Sequence, residues 1–150
     1  MKRDGNAPCM TSQNTGMAYS ILAEIGQMLS TLAERGERGA IDLRSLPMTD
    51  ADRDQLKDLL GQGEIRVEME LAGSSEVWET AYPGVWWLCH RGADSKIATE
   101  EIAITPVPEI LLAHPADITA AASRIQQDIE SALVQSNVHA GEYERESQNV

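Results

Sequence analysis

The chain has 150 residues, with 12 basic against 24 acidic side chains and a formal charge of −12, so one domain with its own core is the expected organisation. That charge repels phosphate backbones and anionic lipid at long range, which argues against nucleic-acid and membrane partners. It leaves two readings, an ordinary soluble acidic surface or a field that steers a basic partner.

Residues 1–15 mix Gly5, Asn6, Pro8, Ser12 and Asn14 without periodicity, the composition of a disordered leader. From Met17 to Arg35, Ala18, Ile21, Leu22, Ile25, Met28, Leu29 and Leu32 recur at spacings of three and four, which predicts an amphipathic helix ended by Gly36. Its stripe suits docking on a sheet, with a partner helix or dimer seam as the other use. Ile41 to Pro47 alternates apolar and polar residues and reads as a short extended piece. Thr49 then suits an N-cap, with Asp52 completing an approximate capping box. The following helix covers about Asp50 to Leu60, turns Leu56, Leu59 and Leu60 inward, and stops at Gly61.

After Gly63 the period becomes two. Ile65, Val67, Met69 and Leu71 alternate with charged residues in a first strand. A turn at Gly73–Ser75 leads to a second strand over 76–81. Pro83-Gly84 separates it from a third, Val85 to Arg91, and Gly92–Ser95 precedes a fourth over 96–104. Short connections imply antiparallel pairing, so the expected fold is α+β: a meander of about four strands packed with about three helices. A two-residue type II turn at Pro83-Gly84 matches hairpin twist poorly, so a longer loop or bulge is expected there.

Thr105-Pro106-Val107-Pro108 closes the sheet in extended form. Pro115 opens a last helix with an apolar stripe of Ile118, Ala122, Ile125, Ile129 and Leu133, expected to end near Ser136. The resulting division is a leader over 1–15, one α+β domain over 16–137 and a disordered acidic tail over 138–150.

Little in the chain suggests catalysis. Cys9 and Cys89 stand outside any CxxC spacing, so neither a disulfide framework nor a zinc site follows, and a reducing cytoplasm suits them. No apolar run has the length of a signal peptide or a ~20-residue membrane span. His90 follows Cys89, but neighbours on a strand point to opposite faces and cannot converge on one atom. The acidic pairs Glu68/Glu70 and Glu100/Glu101 read as solvated strand faces rather than acid and base. No nucleophile elbow, phosphate loop or H-x-x-x-H pair occurs. No catalytic residue, metal ligand or cofactor is therefore expected.

Trp86 and Trp87 must face opposite sides of a regular strand. One fills the core. The other is either covered by a further segment or exposed as a partner-binding hot spot; the assignment expected is Trp86 inside and Trp87 outside. With Tyr82, Pro83 and Gly84 they form the candidate binding corner.

Three stretches carry a resemblance to the HupH/HyaF family of nickel–iron hydrogenase expression proteins, in particular its C-terminal domain. They are Ile41-Asp42-Leu43-Arg44-Ser45-Leu46-Pro47, then Glu79-Thr80-Ala81-Tyr82-Pro83-Gly84-Val85-Trp86, and Val107-Pro108-Glu109-Ile110-Leu111. The resemblance implies a non-catalytic accessory protein or chaperone for uptake-hydrogenase maturation. The partners it implies are the iron–sulfur small-subunit precursor and a companion maturation protein of thioredoxin-like fold. Many family members are about twice as long, with an additional N-terminal region. The other functional readings are a small metal or redox protein using Cys89 and His90, and a structural homodimer paired through helical stripes.

Overall fold

The computed structural model describes residues 13–70 and 72–148; most of the expected leader, Leu71 of the first expected strand and the last two residues lie outside them. The chain divides into two compact units, one up to Pro108 and one from Glu109 onward. No described helix is long and apolar enough to cross a membrane.

The first unit holds α1 (Met17–Arg35), β1 (Gly39–Asp42), α2 (Asp50–Leu60), β2 (Arg66–Glu70), β3 (Ser74–Glu79), β4 (Val85–Arg91) and β5 (Ile97–Ile104). Both helices follow local chemistry. Gly36 ends α1 in the left-handed region and returns its amide to the Leu32 carbonyl. The capping box on α2 is reciprocal: the Thr49 hydroxyl accepts from the Asp52 amide, and the Asp52 carboxylate accepts from the Thr49 amide. Gly61 closes that helix, its amide donating to the Lys57 carbonyl.

The five strands form one antiparallel sheet in the order β1-β5-β4-β3-β2. β2 to β5 are the expected meander. The fifth strand comes from Gly39–Asp42, which pairs with the free side of β5 by placing Ile41 beside Ile102. The turn before β3 is tighter than expected, with Ala72 and Gly73 at positive φ and Ser74 and Ser75 already in the strand. A Cβ on Gly73 would collide with the Arg91 carbonyl, so glycine is required there.

The strand period sorts side chains onto two faces. Trp78, Val85, Trp87, Cys89, Ile102 and Ile104 share one face with Ile41 and pack under Ala18, Ile21 and Ile25 of α1 and Leu56 and Leu60 of α2. The rings of Trp78 and Trp87 stack with centroids 5.6 Å apart and planes 7° from parallel. Their size fills the space beneath α2.

Glu68 and Glu70 are exposed, as read from the sequence. Glu100 is not: it lies on the helix-covered face in register with Ile102, with its side chain only 1% exposed. The solvated-face expectation fails there because α2 supplies a cation. Arg53 Nε donates to Glu100 Oε1 at 2.6 Å and its Nη1 to Asp50 at 3.0 Å.

In the second unit, α3 (Pro115–Ser147) runs 33 residues, eleven beyond the expected end near Ser136. Glu142, Glu144, Arg145 and Glu146 are good helix formers and carry it past Gly141, whose cost of about 1 kcal/mol is tolerable over such a length. None of its residues is buried.

Candidate functional site

The corner between β3 and β4 is built by ordinary turn chemistry. The Val85 amide donates to the Tyr82 carbonyl at 3.0 Å, with Pro83 supplying a fixed φ and Gly84 a φ of +90°, which is a type II turn. As expected, this turn does not join the strands directly. The Thr80 amide reaches the Val85 carbonyl at 2.9 Å, so four residues, Ala81 to Gly84, form the loop. The Thr80 side chain is buried and its hydroxyl accepts from the Tyr82 amide, fixing the entry to the turn.

Three other elements meet this corner. The Ala81 amide donates to the Leu60 carbonyl at the end of α2, and the Gly63 amide donates to the Glu79 carbonyl. A Cβ on Gly63 would come within 2.6 Å of the Thr80 carbonyl, so the close approach depends on glycine. Leu29 and Leu32 of α1 lie over Gly84, and the Gly84 carbonyl accepts from the Thr105 amide just after β5. Trp86 Nε1 donates to the Thr105 carbonyl at 3.1 Å, and the Thr105 hydroxyl donates to the Val107 carbonyl. Thr105 therefore ties the second sequence motif to Val107, the first residue of the third. Sequence reasoning missed Thr105 and Gly63; the signals were a lone threonine opening a proline-rich exit and a second glycine two residues past a helix cap.

Both vicinal tryptophans are buried: Trp87 is 0% exposed and Trp86 3%. The expectation of a surface Trp87 is corrected, because register with Trp78 places it under α2, while Trp86 is the ring on the opposite face. Neither ring is an exposed anchor. What the corner offers to solvent is Tyr82, 48% exposed, with Ala81 and Pro83 beside it, and Val107, 41% exposed, two residues past Thr105.

The first motif lies toward the other end of the sheet. Asp42 pairs with Glu101, and its carboxylate accepts from the Arg44 amide to start a single 3₁₀ turn over Leu43–Ser45. Leu43 is buried, Leu46 packs on the core, and Pro47 ends the turn region before the Thr49 cap. Asp42 and Arg44 are exposed and are not brought to the corner. Glu109 opens a short turn in the second unit.

Cys89 and His90 separate as the strand period requires. Cys89 is on the α2 side, where burial first and then the neighbouring Glu100 carboxylate push its thiol upward, which keeps it protonated and unreactive at neutral pH. His90 is on the other face and its Nδ1 shares a 2.7 Å hydrogen bond with the Ser75 hydroxyl. Among the described residues, no three His, Cys, Asp or Glu side chains come together to hold a metal.

Asp52 has a part that sequence reading did not give it. Buried beneath the start of α2, it also accepts from the Thr15 amide at 2.7 Å and the Thr15 hydroxyl at 2.6 Å. Burial alone would raise its carboxyl; the bonds from Thr15 and Thr49 outweigh it and hold the group below its ordinary 3.8. The Thr49 hydroxyl donates to the Gln13 carbonyl. The last residues of the expected leader are thus pinned to α2.

Comparison with known proteins matches residues 16–132 to the model of the HupH hydrogenase expression protein C-terminal conserved region. The chain is similar to the hydrogenase expression/formation protein HoxQ of Azotobacter vinelandii, 26% identical over 73% of this chain and 40% of that one. It is also similar to the hydrogenase-1 operon protein HyaF of Escherichia coli, 33% identical over 59% and 31%. The solved structure of the hydrogenase expression protein HupH from Thiobacillus denitrificans superposes with a TM-score of 0.76 at 38% identity, covering 79% of this chain and 99% of that one. Matches to these two curated relatives span 31% to 40% of their length.

Proposed function

Since the chain belongs to the family of the HupH C-terminal conserved region, we propose that it is an accessory protein of hydrogenase maturation that works by holding a client rather than by catalysis. The client in this reading is the iron–sulfur small-subunit precursor of a nickel–iron hydrogenase, or a companion maturation protein of thioredoxin-like fold. The family match carries the proposal, and the names of the relatives as hydrogenase expression or formation proteins support it. The corner adds a physical means. Tyr82 is a large amphipathic side chain held on a loop tied to α2, β3, β4 and the exit of β5, so little backbone entropy remains to be lost when it docks.

Affinity capture of the small-subunit precursor by the full chain tests the reading. Retention of the precursor is expected, with Tyr82→Ala weakening it by about tenfold or more, as for a hot-spot aromatic, and leaving the unfolding midpoint nearly unchanged. Failure to retain either the precursor or the companion protein would remove the proposal; equal retention by Tyr82→Ala would remove the corner from it.

A further inference from the structure

Strand β2 is the last in the sheet order and pairs on one side with β3. The Glu79 amide donates to the Ile65 carbonyl at 2.9 Å, so Ile65 turns its backbone groups toward β3. Antiparallel ladders alternate, and the amides and carbonyls of Arg66, Glu68 and Glu70 therefore point outward from the sheet. Gly63, whose amide donates to the Glu79 carbonyl, bounds this edge at one end, and the turn at Ala72 and Gly73 bounds it at the other. The side chains sort by the same period. Arg66, Glu68 and Glu70 are exposed on the face of Trp78 and Glu76, while Val67 and Met69 are half-buried on the opposite face beside Val77 and Ser75. Arg66 is shared: it lies over the Trp78 ring and reaches Glu68 at 3.4 Å and Glu76 at 3.3 Å. With that single cation set against Glu68, Glu70 and Glu76, this face of the edge stays acidic.

We infer that β2 receives, as a sixth antiparallel strand, an extended segment of a partner protein in which lysine or arginine alternates with apolar residues. The outward backbone groups of Arg66, Glu68 and Glu70 supply the ladder, the usual source of affinity in strand addition, and alternate side chains supply the selectivity. β2 is five residues long, about 17 Å, which sets the length of the added segment. Basic residues of the segment sit across from Glu68 and Glu70, and its apolar residues extend the half-buried row of Val67 and Met69. The same charges act against the competing occupant, a second copy of this chain. Antiparallel pairing of two β2 edges centred on Glu68 sets Glu68 directly against Glu68, with Arg66 already engaged by Glu68 and Glu76. Two chains of charge −12 also repel at long range. The acidic edge thus blunts self-association, as charged edge strands do, while attracting a basic strand. The inference does not rest on the maturation role.

A fluorescein-labelled peptide with blocked ends, Lys-Val-Lys-Val-Lys-Val-Lys, tests it by anisotropy against the full chain at low ionic strength. Saturable binding is expected, weakening as salt rises. The same peptide with glutamate at every lysine position should not bind. Methylating the lysine backbone amides keeps the charge but removes the donors that face β2, and should weaken binding by about tenfold or more. Glu68→Lys/Glu70→Lys should lower affinity for the lysine peptide by a similar factor. Glu68→Pro removes an outward amide and spares the β2–β3 ladder, so it should bind more weakly than Glu68→Gln, which loses only the charge. On binding, exchange of the Arg66, Glu68 and Glu70 amides with solvent should slow. Absence of saturable binding at millimolar protein would overturn the inference, as would equal binding of the methylated peptide or unchanged exchange at these three amides. A chain that sediments at twice its 16.4 kDa mass and returns to the chain mass in Glu68→Pro would assign the edge to a second copy and overturn it too.

Discussion

Replacing Arg53 by Met should cost more stability than replacing Glu100 by Gln, although both break the same 2.6 Å ion pair. The two side chains differ in access to water. Arg53 is 22% exposed and touches Asp50 as well, whereas Glu100 is 1% exposed and its Oε2 already lacks a hydrogen-bond donor. Without Arg53 the carboxylate is stranded beneath α2, and removing one partner of a buried pair costs about 3–5 kcal/mol. Water entering through the space vacated by Arg53 should bring the loss to the lower end, about 3 kcal/mol. Without the Glu100 charge, Arg53 can turn to Asp50 and solvent, and a loss of about 1.5–2 kcal/mol remains, the lower part of the range for one hydrogen bond to a charged group. The double variant Arg53→Met/Glu100→Leu should recover to within about 1 kcal/mol of the wild type, since apolar replacements of a buried pair are often neutral. Urea denaturation gives the three free energies. The thermal midpoint of Arg53→Met should fall by roughly 12–24 °C, at 4–8 °C per kcal/mol for a unit of this size. A loss below about 1 kcal/mol for Arg53→Met would refute the reasoning, as would a double variant no better than the single.

Trp86→Ala and Trp87→Ala should each destabilise by about 3–5 kcal/mol in urea melts, since both rings are buried; a loss under about 1 kcal/mol in either would show that its ring is dispensable to the core. For Asp52, the folded carboxyl is held below its ordinary 3.8, so its stabilising contribution is fully present above that value and is lost as pH falls through the lower folded value. Asp52→Asn should therefore be less stable than the wild type at pH 7, and the gap between their urea midpoints should narrow below pH 3.8; a gap independent of pH would refute this linkage.

Elements governed by neighbours in sequence were legible in advance. The Thr49–Asp52 box, the stop at Gly61, the limits of β4 and a connection longer than two residues around Pro83-Gly84 all follow from capping, turn and period rules, and the structure has them. What depends on a distant partner was not legible. Glu100 looks like any exposed strand glutamate until Arg53 is placed beside it, and Trp87 looks free until α2 lies over it. Thr15 belongs to a stretch with a disordered composition, yet Asp52, 37 residues on, fixes it. Of the extended piece expected over Ile41 to Pro47, only Ile41 and Asp42 belong to the edge strand β1; Leu43–Ser45 turn as a 3₁₀ helix because the Asp42 carboxylate captures the Arg44 amide. At the corner, the bonds that tie Thr105 to Gly84 and Trp86 bridge 19 to 21 residues and leave no local trace.

The position of β1 at the sheet edge has a consequence for the order in which the molecule assembles. Strands β2 to β5 are joined by short turns, so their pairings close small loops and can form as each hairpin is completed. The β1–β5 pairing brings Gly39 to Ile104 and closes a loop of about 65 residues, at a higher entropic cost. During synthesis, α1 and β1 emerge before the meander and have no complete sheet to dock on until Ile104 has left the ribosome. The meander should therefore be the early structure in refolding, and protection of the Gly39–Asp42 amides the late event that closes the core.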